Sequence, residues 1–401
     1  MKPFCLPAVV ATLLFLAGST AAGTGPLKRH PQPLNLGNQT VTAQVPDGYT
    51  LEVLNTTMET PRLMSFLPNG DLLVGSRSNR VYRLAPPYRH AEVLFSLRGY
   101  PHSVAWRQGE LLIARTDGLY HVPYRLGQAH VDPDAITLLA RLPGGGGHNS
   151  RSVAVGPDGR IYVSLGISSN CSNQYLGPPY RFEDRRGGLL VLDETTNPPR
   201  WEPYASGLRN PVGFDWQPGT GVIYASNNGP DHWGFDEPRE YFSRLTEGSF
   251  HGMPWFQWVN GKVTRDDCIE TPPPRPASDA TPPVATFPAR NAPMGVAFVP
   301  PSTMDKGLEG DAVVALHGSW GTAPSGSAYG PPSSRRPPAL VVVRFDHHKA
   351  VRVDKLVTGF QLANGSRWAR PVGVAVGHDG NLYFTSDAGV MGLFRLKRNS
   401  K

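Results

Sequence analysis

The sequence predicts an all-β chain folded as a six-bladed β-propeller. Three observations predict it. One hairpin unit recurs six times along the 401 residues, its turns carry the residue types that tight turns require, and no convincing amphipathic helix interrupts the series. A long β-sandwich is the alternative, but sandwiches do not normally repeat one hairpin motif six times.

Taken in order, the chain opens on a short basic start, Met1-Lys2, then an apolar run from Leu6 to Ala17 and the small residues Ser19 to Ala22. This reads as a cleaved secretory signal peptide over 1–22, which makes the protein periplasmic or secreted. No later stretch is long and apolar enough to span a membrane. Residues 23–45 read as an extended entry segment. Gly48 to Leu54 then offers a strand that closes the ring.

The six units begin at Met64, Val104, Val153, Phe214, Val296 and Val374, each a short apolar strand, a turn and a second apolar strand. In Pro68-Asn69-Gly70 and Pro157-Asp158-Gly159, proline presets φ and Asn or Asp with Gly tolerates positive φ. A third strand often follows, as at 80–84, 187–192, 340–345 and 392–396. The Pro-rich stretches 271–288 and 321–338 read as surface insertions in one propeller spanning 46–401.

Composition narrows the function. Apolar residues make up 39%, enough for a sizeable core. The net charge is +7, but the basic residues are scattered, so nothing points to nucleic acid. Cys171 and Cys268 remain after leader cleavage. A disulfide and two free thiols are both open, and their spacing suits no zinc site. Two glycosylation-type sequons, at Asn38 and Asn55, are short patterns of low specificity. No haem-attachment motif is present.

If the Pro-Asp-Gly turns occupy one face, the loops before each first strand and after each second strand occupy the other. Those loops carry His148, Arg209, Asn210, Gly229, Pro230, His317, Trp320 and Arg370, a polar set ringing one mouth of the channel. Each has a bland reading. The glycine run 144–147 makes the His148 loop flexible, the arginines can pair with surface carboxylates, and Trp320 can be core.

The stretches Gly147-His-Asn-Ser-Arg-Ser-Val-Ala-Val-Gly-Pro-Asp-Gly-Arg-Ile-Tyr-Val163, Ser206-Gly-Leu-Arg-Asn-Pro-Val-Gly213, Ala315-Leu-His-Gly-Ser-Trp320 and Trp368-Ala-Arg-Pro-Val-Gly-Val-Ala-Val376 resemble the glucose/sorbosone dehydrogenase family, the soluble quinoprotein sugar dehydrogenases. The resemblance runs from about Gly48 to Leu396. It implies pyrroloquinoline quinone (PQQ) and Ca²⁺ as cofactors, and a sugar or related aldehyde as the small-molecule substrate. It implies that His148 takes the substrate proton while hydride moves to the quinone, and that Arg209 stabilises charge beside the reacting carbonyl. Gly229 and Pro230 would hold calcium through their carbonyls, and Arg370 would grip a cofactor carboxylate. Asn210, His317 and Trp320 would complete the cofactor site. Departures exist. Gly321-Thr322 stands where family members often carry Asn-Arg, with Arg335-Arg336 only after an insertion. Val212 stands where glucose-oxidising members carry a polar residue. A metal-dependent lactonase and a non-catalytic binding propeller are the competing readings.

Overall fold

The structure, a computed structural model, describes residues 25–37, 39–301 and 307–399. The leader expected at 1–22 and the sequon residue Asn38 lie outside the described residues. Six antiparallel sheets follow one another along the chain. Blade 1 comprises Pro61–Phe66, Leu72–Ser76, Arg80–Leu84 and Glu92–Ser96, and blade 2 Ser103–Arg107, Glu110–Arg115, Gly118–Pro123 and Thr137–Arg141. Blade 3 comprises Arg151–Val155, Ile161–Leu165, Gly188–Asp193 and Arg200–Ser206, and blade 4 Phe214–Trp216, Ile223–Asn227, Glu240–Leu245 and Ala285–Phe287. Blade 5 comprises Pro293–Phe298, Ala312–Leu316, Ala339–Asp346 and Lys349–Val357. Blade 6 takes Ala369–Val376, Leu382–Gly389 and Gly392–Arg398, and its fourth strand is Tyr49–Asn55 from the other end of the chain. The six-bladed propeller is thus observed, with ring closure by the strand expected to supply it. Among the described residues helical geometry is confined to three-residue 3-10 turns, and no helix is long and apolar enough to cross a membrane.

The first strand of every blade lines the central channel. At three of the six seams the neighbouring first strands approach so closely that only glycine fits between them. A Cβ on Gly213 would stand 2.3 Å from the Met294 carbonyl oxygen, one on Gly295 2.7 Å from that of Val372, and one on Gly373 2.6 Å from that of Arg62. Buried hydroxyls stitch two of these seams and two others. Ser103 Oγ donates to Arg151 O at 3.1 Å, Ser226 Oγ to Met294 O at 2.6 Å, Thr385 Oγ1 to Arg62 O at 2.6 Å, and Ser152 Oγ to Val212 O. Each satisfies a carbonyl that the sheet ladders leave over. Apolar layers fill the space between blades, as where Leu112 and Ala114 of blade 2 meet Ile161 and Val163 of blade 3.

The turns behave as their chemistry predicts. Gly70, Gly159 and Gly380 take φ of 87°, 79° and 73°. In two turns the aspartate also accepts a hydrogen bond from a strand tyrosine, Tyr162 to Asp158 at 2.8 Å and Tyr383 to Asp379 at 2.7 Å.

Two expectations change. The entry segment 23–45 contains a β-hairpin, Arg29–Leu36 with Gln39–Pro46, whose Val41, Ala43 and Val45 are buried against Phe360 and Trp368. Pro31 and Pro33 disguise it in the sequence, yet proline is tolerated in a strand with a free edge. The stretch 271–288 is not wholly an insertion, because Ala285–Phe287 is the outer strand of blade 4. The true excursion begins after Leu245 and holds its own hairpin, Phe256–Val259 with Lys262–Arg265, around a small core of Phe250, Trp255 and Ile269. Asn55 is buried, its amide donating to Arg89 O at 3.0 Å, so that sequon is a strand end rather than an exposed acceptor.

Candidate functional site

His148 follows the glycine run 144–147, which is pinned rather than flexible. Two buried arginines clasp it through backbone carbonyls. Arg186 donates to Gly166 O at 2.6 Å, Gly146 O at 3.1 Å, Gly144 O at 3.2 Å and His148 O at 2.9 Å. Arg151 donates to His148 O at 3.0 Å and Pro143 O at 2.7 Å. Among the described residues neither forms an ion pair; their charges are solvated by peptide dipoles. The His148 ring is half-buried, with Nδ1 2.5 Å from Ile167 O. A carbonyl only accepts, so Nδ1 carries the proton and Nε2 keeps its lone pair. No hydrogen bond to Nε2 is present among the described residues. Burial, followed by the nearby Arg209 guanidinium, lowers the imidazole to about 4.

Arg209 and Asn210 lie directly beside it. A Cβ on Gly166 would stand 2.5 Å from Asn210 Oδ1, 2.6 Å from His148 Cβ and 3.1 Å from Arg209 O, so this glycine lets the three meet. The Arg209 guanidinium is buried and donates to Asn170 Oδ1 at 2.5 Å, Asp231 Oδ2 at 3.3 Å and Asn228 O at 3.4 Å. Its Nε has no hydrogen-bond partner. The Asn210 backbone is held by Asn227 Oδ1 at 2.9 Å, which leaves its side chain available to a ligand.

Gly229 and Pro230 occupy the buried loop after the second strand of blade 4. The Gly229 amide donates to Glu240, a carboxyl that burial raises to about 7. The Pro230 carbonyl accepts from Arg290 Nη1 at 3.0 Å, and the same nitrogen pairs with Asp231 Oδ1 at 2.7 Å. Arg290 and Ala292 take positive φ of 69° and 49°, unusual for residues with a side chain. Between them Asn291 is buried and its Oδ1 is unpartnered.

The remaining predicted residues form a second group on blades 5 and 6. His317 Nε2 meets Asp387 Oδ1 at 2.7 Å, and Arg62 Nη1 donates to Asp387 Oδ2 at 2.6 Å. Despite its own burial, these two partners hold Asp387 well below the usual carboxylate range. Arg370 donates to His317 O at 3.0 Å and Gly318 O at 3.1 Å. Arg367 donates to Ser319 O at 2.6 Å and Arg336 O at 3.1 Å. Arg335, from the Pro-rich insertion, is near enough to lower both Arg367 and Arg370, after burial. Arg335, Arg367 and Arg370 have no carboxylate partner among the described residues. Trp320 is not core: it is 54% exposed at the rim. The loop 290–293 joins the two groups, since His317 N donates to Ala292 O and Gly318 N to Asn291 O, both at 3.0 Å.

The eight predicted residues thus share one face, on the loops and strand ends where the repeat places them. Sequence reasoning missed Arg151, Arg186, Asn170, Asp231 and Arg290, which hold the loops. Val212, flagged as a specificity position, is buried in the core and donates nothing to the mouth. Toward the opposite mouth the channel is a mostly apolar cavity of about 580 Å³, lined by Met64, Trp106, Val153, Phe214 and Phe298 with Asp215 and His378 among them, and none of the predicted residues reaches it.

An anionic, planar quinone fits this arrangement: unpaired arginines stand at one end and the orphaned Arg209 Nε at the other. A hard cation finds oxygen donors in the Gly229 carbonyl, which has no hydrogen bond among the described residues, and in the orphaned Asn291 Oδ1 nearby. The Pro230 carbonyl retains one lone pair beside Arg290.

Comparison with known proteins gives a consistent picture. The family model described as glucose / sorbosone dehydrogenase matches residues 128–319. A protein of Borreliella burgdorferi without an assigned function is 25% identical over 366 residues, covering 87% of this chain and 89% of its own. The fold is similar to that of a family AA12 carbohydrate-active enzyme of Trichoderma reesei, with a TM-score of 0.75 at 19% identity over 91% of this chain and 100% of that one. It is also similar to the PQQ domain of pyranose dehydrogenase from Coprinopsis cinerea, with a TM-score of 0.69 at 19% identity over 89% and 97%. The PQQ-bound aldose sugar dehydrogenase of Streptomyces coelicolor gives a TM-score of 0.61 at 17% identity over 88% and 99%.

Proposed function

With residues 128–319 related to glucose/sorbosone dehydrogenases, we propose that the chain is a quinoprotein dehydrogenase that oxidises a sugar or related aldehyde or alcohol. The observation that carries this reading is the His148–Arg209 pair: an unprotonated imidazole nitrogen and a buried guanidinium face the same mouth, which also gathers Arg335, Arg367 and Arg370, none of them in an ion pair among the described residues. PQQ, when bound, accepts the two electrons removed from the substrate. Its carboxylates would be held by Arg370, and by Arg335 and Arg367 in place of the Asn-Arg pair missing after Trp320.

His148 Nε2 accepts the proton of the substrate hydroxyl, while the Nδ1–H bond to Ile167 O fixes the ring and the tautomer. Arg209 stabilises negative charge as it develops, through donors already in place before reaction. Asn210 orients the bound group beside it, and the His317–Asp387–Arg62 network fixes the loop that Arg370 grips. Calcium would sit against the Gly229 and Pro230 carbonyls. A separate acceptor would take the electrons onward, since the chain carries no haem-attachment motif. The protein would work in the periplasm or outside the cell, a reading supported by the Cys171–Cys268 disulfide, since such bonds persist in oxidising compartments.

The test is dye reduction by purified protein across aldoses and aldehydes, with and without PQQ and calcium, beside His148→Ala. Turnover that needs both additions and disappears in the variant, with quinone binding retained, is the expected result. Unchanged activity in His148→Ala removes the base role. No turnover together with no spectral sign of quinone binding favours a non-catalytic propeller.

A further inference from the structure

Arg209 is held by neighbours of unequal strength. Asp231 Oδ2 is 3.3 Å away, and its carboxylate is drawn to Arg290, 2.7 Å from Oδ1. The Asn228 carbonyl, at 3.4 Å, is at the margin of a hydrogen bond. Asn170 Oδ1, at 2.5 Å, is the short contact, and the same oxygen accepts the Asp231 amide at 3.0 Å. One neutral oxygen therefore fixes both the guanidinium and the loop that would otherwise pull it away by charge.

Asn170 sits on an excursion from blade 3 that has no sheet of its own. The Ser168 amide donates to Gln174 Oε1 at 2.7 Å, and Ser172 Oγ lies 2.8 Å from both Ser168 Oγ and Ser169 Oγ. The next residue is tied covalently to the blade 4 excursion: Cys171 and Cys268 form a disulfide with Cα atoms 5.5 Å apart. The Cys268 amide donates to Asp266 Oδ1 at 3.2 Å, and Asp266 Oδ1 lies 2.9 Å from His232 Nε2, one residue beyond Asp231. A ring nitrogen of His232 and the two sulfurs lie within 4.8 Å of one another. The path Arg209–Asn170–Cys171–Cys268–Asp266–His232–Asp231–Arg209 is a closed circuit.

We propose that Asn170 is the positioning residue for Arg209 and that the Cys171–Cys268 bridge holds it there. The inference rests on the proposed role of Arg209. An amide suits the task because it orients the guanidinium without neutralising it, and the charge that Arg209 presents to the mouth is what the chemistry uses. The bridge closes a segment whose ends are 97 residues apart and fixes the loop at Asn170, whose near neighbours hold by hydroxyl and amide contacts, while Tyr175 and Tyr180 pack on Trp255 further along.

The experiment reads Arg209 directly as well as through turnover. Phenylglyoxal labelling of Arg209, followed by peptide mass spectrometry, is compared in the wild type, Asn170→Ala, Asn170→Asp and the double variant Cys171→Ser with Cys268→Ser. Labelling is expected to rise in Asn170→Ala and in the double variant and to stay low in Asn170→Asp. In Asn170→Ala kcat falls by roughly tenfold to a hundredfold, the cost of misplacing a catalytic group by about 1 Å, while KM and PQQ affinity by absorbance titration stay near the wild-type values. Asn170→Asp loses kcat with Arg209 still protected, separating charge from position. Wild-type labelling and kcat in Asn170→Ala overturn the proposal. If that variant does not fold, wild-type labelling in the double variant overturns it. If the wild type neither binds quinone nor turns over, the dehydrogenase reading fails while the labelling still decides whether Asn170 and the bridge place Arg209.

Discussion

His148 shows how a residue's chemistry is set by what surrounds it. Burial and the Arg209 charge both disfavour the imidazolium, so the ring is neutral down to about pH 4. Loss of the base therefore follows protonation of Nε2 in that region. The acid limb of kcat/KM is expected near pH 4, more than two units below the ordinary histidine range, in steady-state rates across a pH series. A limb near 6.5 would mean that the His148 ring is open to water or that another group is titrating. His148, Arg209 and Arg370 were legible in the sequence because each stands four or five positions before the apolar residue that marks an inner strand. Arg186, Arg290 and Asn170 were not, because their partners lie on loops distant in sequence, and Arg151 was not, because it bonds only backbone carbonyls of its own loop. An arginine that solvates a glycine loop has the same local pattern as one that faces solvent.

At the scale of the element, the repeated hairpins and the ring-closing strand announced themselves, and two strands masked by proline did not. The hairpin at 29–46 was hidden by two prolines, and Ala285–Phe287 by the proline-rich run that leads into it. Also invisible was the requirement that inner strands touch through glycine. Gly295→Ala would place its Cβ 2.7 Å from a carbonyl oxygen on the neighbouring blade, where backbone must move. The variant is expected to lose about 1–3 kcal/mol or more in urea denaturation, the usual cost of overpacking. Gly146→Ala, whose Cβ meets nothing within 4 Å, is expected to leave the midpoint unchanged. Equal midpoints would show that the blades can part at little cost.

For the whole molecule, the repeat made the propeller readable while leaving its electrostatic asymmetry to the structure. The chain carries +7, and one mouth gathers Arg335, Arg367 and Arg370 without carboxylate partners among the described residues, while the other mouth is mostly apolar. Binding of an anionic cofactor is expected to be steered to that mouth, so its association rate in stopped-flow fluorescence should drop roughly tenfold between about 10 and 300 mM salt. A rate indifferent to salt would assign those arginines to bracing the insertion alone. The strand Tyr49–Asn55 completes blade 6 against Gly392–Arg398, with Glu52 and Arg395 paired across 343 positions of chain. During synthesis, one of the first strands made must therefore wait with an open edge until nearly the last has been made. The closed ring has no seam that can be sealed early, and an unfinished chain carries a vacancy that any extended segment of matching pattern can fill. The waiting strand, rather than any blade interior, is where misassembly between copies of the chain would begin.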